Sequence, residues 1–115
     1  MKSIFVTFQV EGIHCYPDAP PGVEFLRHPH RHIFHYRVMI EVNHNERDIE
    51  FILFKRELQG LFTFGVMSAE SRSCESLAEE LAGYILEKYP KRALRVEVSE
   101  DGENGAVISY GAEKK

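Results

Sequence analysis

The stretch HPHRHIFHYRVMIEV, residues 28–42, decides how the rest of the chain is read. From Arg31 onward it alternates. Phe34, Tyr36, Val38, Ile40 and Val42 fall on one side, and Arg31, His35, Arg37 and Glu41 on the other. A period of two in β-branched and aromatic residues is the mark of a strand with one dry face. The same stretch carries four of the chain's six histidines, His28, His30, His32 and His35.

Working outward, KSIFVTFQV sets Ile4, Val6 and Phe8 against Phe5, Thr7 and Gln9 and predicts a strand over residues 2–11. His14 stands where that strand runs out. Pro17, Pro20, Pro21 and Gly22 make the following segment a loop, long enough to suggest a function. After the polar turn NHNERD, Phe51, Phe54, Leu58 and Leu61 recur at helical spacing. TFGVMSAESR then reads as a loop. Ser73 is the expected N-cap of a second helix, with Glu75 in its first turn, a stripe of Leu77, Leu81, Tyr84 and Ile85, and a stop at Pro90. ALRVEVSE and AVISYG are two further strands around DGENG, whose Gly102, Asn104 and Gly105 suit a hairpin turn. The order strand, strand, helix, helix, strand, strand predicts an α+β domain over residues 1–115: a four-stranded antiparallel sheet with both helices on one face.

Composition bounds the function. A chain of 115 residues with 43% hydrophobic and 28% charged residues is long enough for one core. The net charge of −4 argues against nucleic acid as a partner, which would call for a basic face. No apolar run approaches a membrane span, and MKSIFVTFQVEG lacks a small-residue cleavage site. Cys15 and Cys74 make no disulfide framework, so a cytoplasmic protein is expected.

Side chains two apart on a strand share a face, so His28, His30 and His32 can point together, with Pro29 weakening the geometry at His28. His35 lies on the opposite face. An H-x-H pair offers two imidazoles to one ion, and a zinc site needs at least a third ligand. His14 supplies it if the first two strands are neighbours. The alternative is a set of polar residues on a wet strand face, and spacing alone does not separate the two. His44, in the polar turn, reads as surface.

The blocks FQVEGIHCYPDAP, HRHIFHYRVMIEV, RDIEFILFKREL, SCESLAEELAGYI and RVEVSEDGENGAVISYG, in that order, resemble the 6-pyruvoyltetrahydropterin synthase and 6-carboxytetrahydropterin synthase family, the T-fold enzymes. The resemblance covers nearly the whole chain. It implies a zinc ion on His14, His30 and His32, and a pterin-type ligand contacted by Ser73, Cys74 and Glu75. It also implies that Glu100, at the end of VEVSE, pairs with the ring's amino and N–H groups, as a carboxylate can. Read without the family, Ser73 is a helix cap and Glu100 a solvated turn residue. The resemblance further implies a barrel-like homo-oligomer, a trimer or hexamer.

The chain departs from the family at its acid–base groups. The family's thiol lies four residues before the H-x-H pair, where this sequence has Leu26, and the Asp-His pair between the helices has no counterpart in GLFTFGVMSAESR. Such groups contribute typically 10²–10⁴-fold each to rate. Three functions follow as expectations. One is a zinc-dependent lyase with altered chemistry, drawing its proton transfer from Glu24, His28, His35 or Cys15. A second is a non-catalytic binder of a pterin, purine, deazapurine or nucleotide-derived small molecule. The third is a structural module that keeps the fold alone.

Overall fold

The computed structural model describes residues 1–62 and 66–111. In chain order the elements are β1 (Lys2–His14), a 3-10 turn (Glu24–Arg27), β2 (His30–Val42), α1 (Phe51–Gln59) and a second 3-10 turn (Gly60–Phe62). They continue with β3 (Met67–Glu70), α2 (Cys74–Lys88), β4 (Leu94–Glu100) and β5 (Asn104–Tyr110). One sheet holds all five strands in the order β3-β1-β2-β4-β5. The β1–β2, β2–β4 and β4–β5 pairs are antiparallel, and β3 runs parallel to β1.

The sheet is therefore mixed and five-stranded, where four antiparallel strands were expected. The extra strand is MSAE, inside the segment predicted as a loop; residues 63–65 of that segment lie outside the described residues. Four residues with one buried side chain, Ala69, show no period of their own, and it is the pairing of Met67, Ser68 and Glu70 with Gly12–His14 that makes them a strand. β1 also runs on to His14 rather than stopping at residue 11. Gly12, a poor strand former, is kept in it by pairing with His32, and Ile13 pairs with Arg31 beyond it.

The even-numbered residues of the long strands form the dry face. Val6, Phe8 and Val10, Phe34 to Ile40, and Leu94, Val96 and Val98 are buried in one core with Phe54 and Leu58 of α1 and Leu77, Leu81 and Ile85 of α2. Each such side chain is worth about 1.5–3 kcal/mol when fully buried. Phe8 stacks on Tyr36 with ring centroids 5.1 Å apart. Three members of the predicted helical stripes stay outside. Phe51 and Leu61 are exposed, and the Tyr84 hydroxyl reaches across to donate to the Glu57 carboxylate at 2.9 Å.

Both helices are capped by side chains. Ser73 Oγ accepts from the Ser76 amide, as its sequence position predicts, and Glu50 accepts from the Ile52 and Leu53 amides at the start of α1. The β4–β5 hairpin turns through Asp101 and Gly102, both at positive φ (+56° and +75°), while Asn104 and Gly105 belong to β5 rather than to the turn. No helix among the described residues is long and apolar enough to cross a membrane.

Candidate metal centre

Strand register assembles the histidines. His14 and His30 face each other directly across the β1–β2 pair, and His32 lies two residues along on the same face, opposite Gly12. β2 in turn pairs with β4 so that Phe34 opposes Glu100, which brings that carboxylate to the same end of the sheet. The three rings stand edge-on to one another, with centroids 4.6 Å (His14–His30), 4.9 Å (His30–His32) and 5.2 Å (His14–His32) apart. One nitrogen from each ring lies within 4.8 Å of the other two, close enough to hold a metal ion.

The protonation pattern of the rings follows from their partners. His14 Nδ1 is 3.2 Å from the Arg72 carbonyl, His30 Nδ1 is 2.8 Å from the His28 carbonyl, and His32 Nδ1 is 2.7 Å from Asp101 Oδ2. A carbonyl or carboxylate oxygen only accepts, so each Nδ1 must donate and carry the hydrogen. In the neutral rings the lone pairs are left on the three Nε2 atoms, and all three are buried with no hydrogen bond among the described residues. Buried acceptors left unmatched would cost about 1–3 kcal/mol each, so the cluster is arranged such that it could hold a metal ion. An outer ring of acceptors that sets tautomer and orientation is the usual support of a histidine metal site.

Two further features shape the cluster. Phe34, fully buried, presents its ring edge-on to His14 and His32 at 5.2 and 5.9 Å and forms the floor. Gly12 makes room for it, since a Cβ there would fall 2.7 Å from the ring. Asp101 is clamped at both ends: its amide donates to the Ile33 carbonyl, and Oδ1 accepts from the Ile33 amide at 2.9 Å. That amide, and then His32, hold the Asp101 carboxyl below its ordinary range.

A cavity of about 520 Å³ opens beside the cluster, with His14 and His30 in its wall. Ser73, Cys74, Glu75 and Glu100, the four residues expected to contact a ligand, also line it. The Ser73 hydroxyl is already engaged as the α2 cap. Cys74 is buried, and burial, followed by the nearby Glu100 and Glu75 carboxylates, pushes its thiol up to about 11. The thiol is therefore neutral at physiological pH.

The four expected sources of a proton part company. His35 is on the other side of the sheet, 3.8 Å from the Cβ position of Gly102, and lines a separate cavity of about 710 Å³ with Arg37, Lys55 and Glu97. Glu24 accepts from the Gly22 amide, and His28 is exposed and contributes its carbonyl. Neither lines the cavity beside the histidines. Cys15 does, next to Leu26 and Tyr16. Strict alternation would turn it away from His14. β1 ends at His14, and beyond it the Cys15 and Tyr16 amides donate to the Glu70 and Leu26 carbonyls at 2.8 and 2.7 Å, so strand alternation no longer governs Cys15, which lines the cavity wall.

Asp101 is the residue that sequence reasoning missed. Its signal was its place after Glu100 in a turn, where an Asp can adopt positive φ and accept from a neighbouring strand. The Arg72 and His28 carbonyls left no signal at all, because any residue offers one. No known protein family and no curated protein matches this chain. The chain is an α+β domain with a mixed five-stranded sheet, two helices and a three-histidine cluster able to hold a metal ion.

Proposed function

We propose that this protein is a zinc-binding relative of the 6-pyruvoyltetrahydropterin and 6-carboxytetrahydropterin synthases that takes a pterin-, purine- or deazapurine-type small molecule into the cavity beside His14, His30 and His32. The observation that carries the proposal is the trio of buried, unpartnered Nε2 atoms, each with its Nδ1 committed to an acceptor. Neutral imidazoles in threes suit zinc, with a fourth position left for water or ligand. Bound zinc would polarise a carbonyl or hydroxyl of the ligand, or lower the pKa of a water.

The chain's own residues bind and orient. Arg72, His28 and Asp101 hold the rings, Phe34 fixes their depth, and Glu100 and Glu75 offer acceptors to a ligand rich in N–H groups. Leu26 in the wall cannot move a proton, and Cys15 is the one member of the expected proton-transfer set that reaches the cavity. That supports the second reading, a non-catalytic binder that sequesters or senses a purine- or nucleotide-derived molecule.

Metal quantification on the purified full chain comes first: less than one ion per several chains removes the zinc assignment. Mass spectrometry of molecules released by heating then identifies a retained ligand. Turnover of dihydroneopterin triphosphate that disappears in His30→Ala supports a lyase; a retained ligand with no turnover supports the binder. We also propose a homo-oligomer, a trimer or hexamer. β5 is an outer strand with one neighbour, and pairing with a second copy would cover its free edge. Light scattering giving a monomer at micromolar concentration would refute this.

A further inference from the structure

Glu100 stands in an awkward place for a residue that only awaits an organic ligand. Its Oε2 is 3.0 Å from His14 Nε2 and its Oε1 3.8 Å from His32 Nε2. In the neutral rings both nitrogens carry lone pairs, because the opposite ring nitrogens donate to the Arg72 carbonyl and to Asp101. A carboxylate oxygen at 3.0 Å from an acceptor nitrogen is a repulsive contact unless a positive charge lies between them. The backbone gives Glu100 little choice of position. It is the last residue of β4, paired with Phe34, and the next residue is locked to Ile33 through both its amide and its carboxylate.

We infer that Glu100 is itself a ligand of the ion, completing a set of three histidines and one carboxylate, and that it is the member an incoming molecule displaces. This rests on the zinc assignment above. Oxygen from Glu is an ordinary zinc ligand at about the same distance as imidazole nitrogen. Glu100 is also the most exchangeable of the four. Each imidazole has its far nitrogen tied to an acceptor, whereas no hydrogen bond among the described residues ties the Glu100 side chain, which is 28% exposed against 9% for His14 and 20% for His32. The site is thus closed at rest. A molecule bringing its own oxygen or nitrogen donor takes the position of Glu100 on the ion. The freed carboxylate, already in the cavity wall, is left to accept hydrogen bonds from that molecule.

The test uses the full chain loaded with Zn²⁺ or with Co²⁺ as a spectroscopic substitute. Glu100→Gln keeps the size of the side chain and removes its charge; Glu100→Asp keeps the charge and shortens the reach. Circular dichroism confirms that each variant is folded. Affinity is read by competition with a chromogenic chelator, and coordination by the visible Co²⁺ spectrum. Glu100→Gln is expected to lose more than the about 10–100-fold that removal of an outer-shell partner costs, with a changed spectrum. Glu100→Asp is expected to change the spectrum as well. Spectra of both variants superimposable on the native one overturn the inference, since a carboxylate acting only through its field leaves the ligand set intact. A native chain that takes up neither ion overturns the zinc assignment itself, a different result from the first.

Discussion

Gly12 is the position at which packing beneath the histidines can be tested with one methyl group. A Cβ added there would lie 2.7 and 2.8 Å from two carbons of the Phe34 ring and 3.1 Å from Met67 Cε. Methionine can yield, but the ring is fully buried and rests against His14 and His32. Forcing extra volume into a packed core costs about 1–3 kcal/mol. Replacing a strand glycine by alanine returns about 0.5–1 kcal/mol of backbone entropy. The net expectation for Gly12→Ala is a loss of about 0–2.5 kcal/mol, or roughly 0–10 °C in Tm at about 4 °C per kcal/mol for a domain of this size. The displaced ring also tilts two imidazoles, so metal affinity should fall by about tenfold, the scale of an outer-shell defect. Gly83, exposed within α2, is the control, because a Cβ there meets nothing within 4 Å. Gly83→Ala should gain about 0.5–1 kcal/mol from helix propensity alone. Thermal melts and chelator competition on both variants settle the matter. If Gly12→Ala melts higher than the native chain, as Gly83→Ala should, the glycine is not there to admit Phe34.

Three other outcomes are expected. Asp101→Asn tolerates the positive φ and removes the charge behind His32; it should cut metal affinity by about 10–100-fold with little change in secondary structure, and native affinity would show the carboxylate to be idle. Iodoacetamide at neutral pH should label Cys15 ahead of Cys74, whose thiol is buried and pushed up to about 11; peptide mass spectrometry showing Cys74 modified first would contradict its burial. Asp48 accepts from the Asn43 amide and from Arg92, and these bonds hold its carboxyl below the ordinary range. A depressed carboxyl stabilises the fold above about pH 4 and loses that contribution as pH falls through its folded value. Asp48→Asn should therefore flatten the acid limb of a Tm-against-pH curve, and an unchanged slope would count against the bonds.

Period and register explain what could be read without coordinates. The alternation of Phe34 to Val42 places β2 and its dry face, and the H-x-H spacing places His30 and His32 on that face. The His14 position needed only that β1 and β2 be neighbours, which their antiparallel pairing supplies. β3 escaped because strand identity in MSAE comes from its partner, not from its own side chains. Helix spacing overcounted the core: Phe51 and Leu61 fit the period of Phe54 and Leu58, yet Phe51 is the exposed first residue of α1 and Leu61 lies past its end in a 3-10 turn. Cys15 was misdirected by strict alternation, because β1 ends at His14 and the chain beyond it is held by the Glu70 and Leu26 carbonyls rather than by the strand period.

The outer ring of the cluster ties distant parts of the chain together. His14 is bonded to Arg72, 58 residues away, and His32 to Asp101, 69 residues away. A fragment ending before β4 contains all three histidines but lacks Glu100 and Asp101. Closing loops of such length is entropically unfavourable until the sheet is assembled. Tight metal uptake during refolding therefore reports the arrival of the last hairpin, and an ion held there would act as a clasp on the C-terminal half of the fold, adding stability in proportion to the logarithm of its concentration.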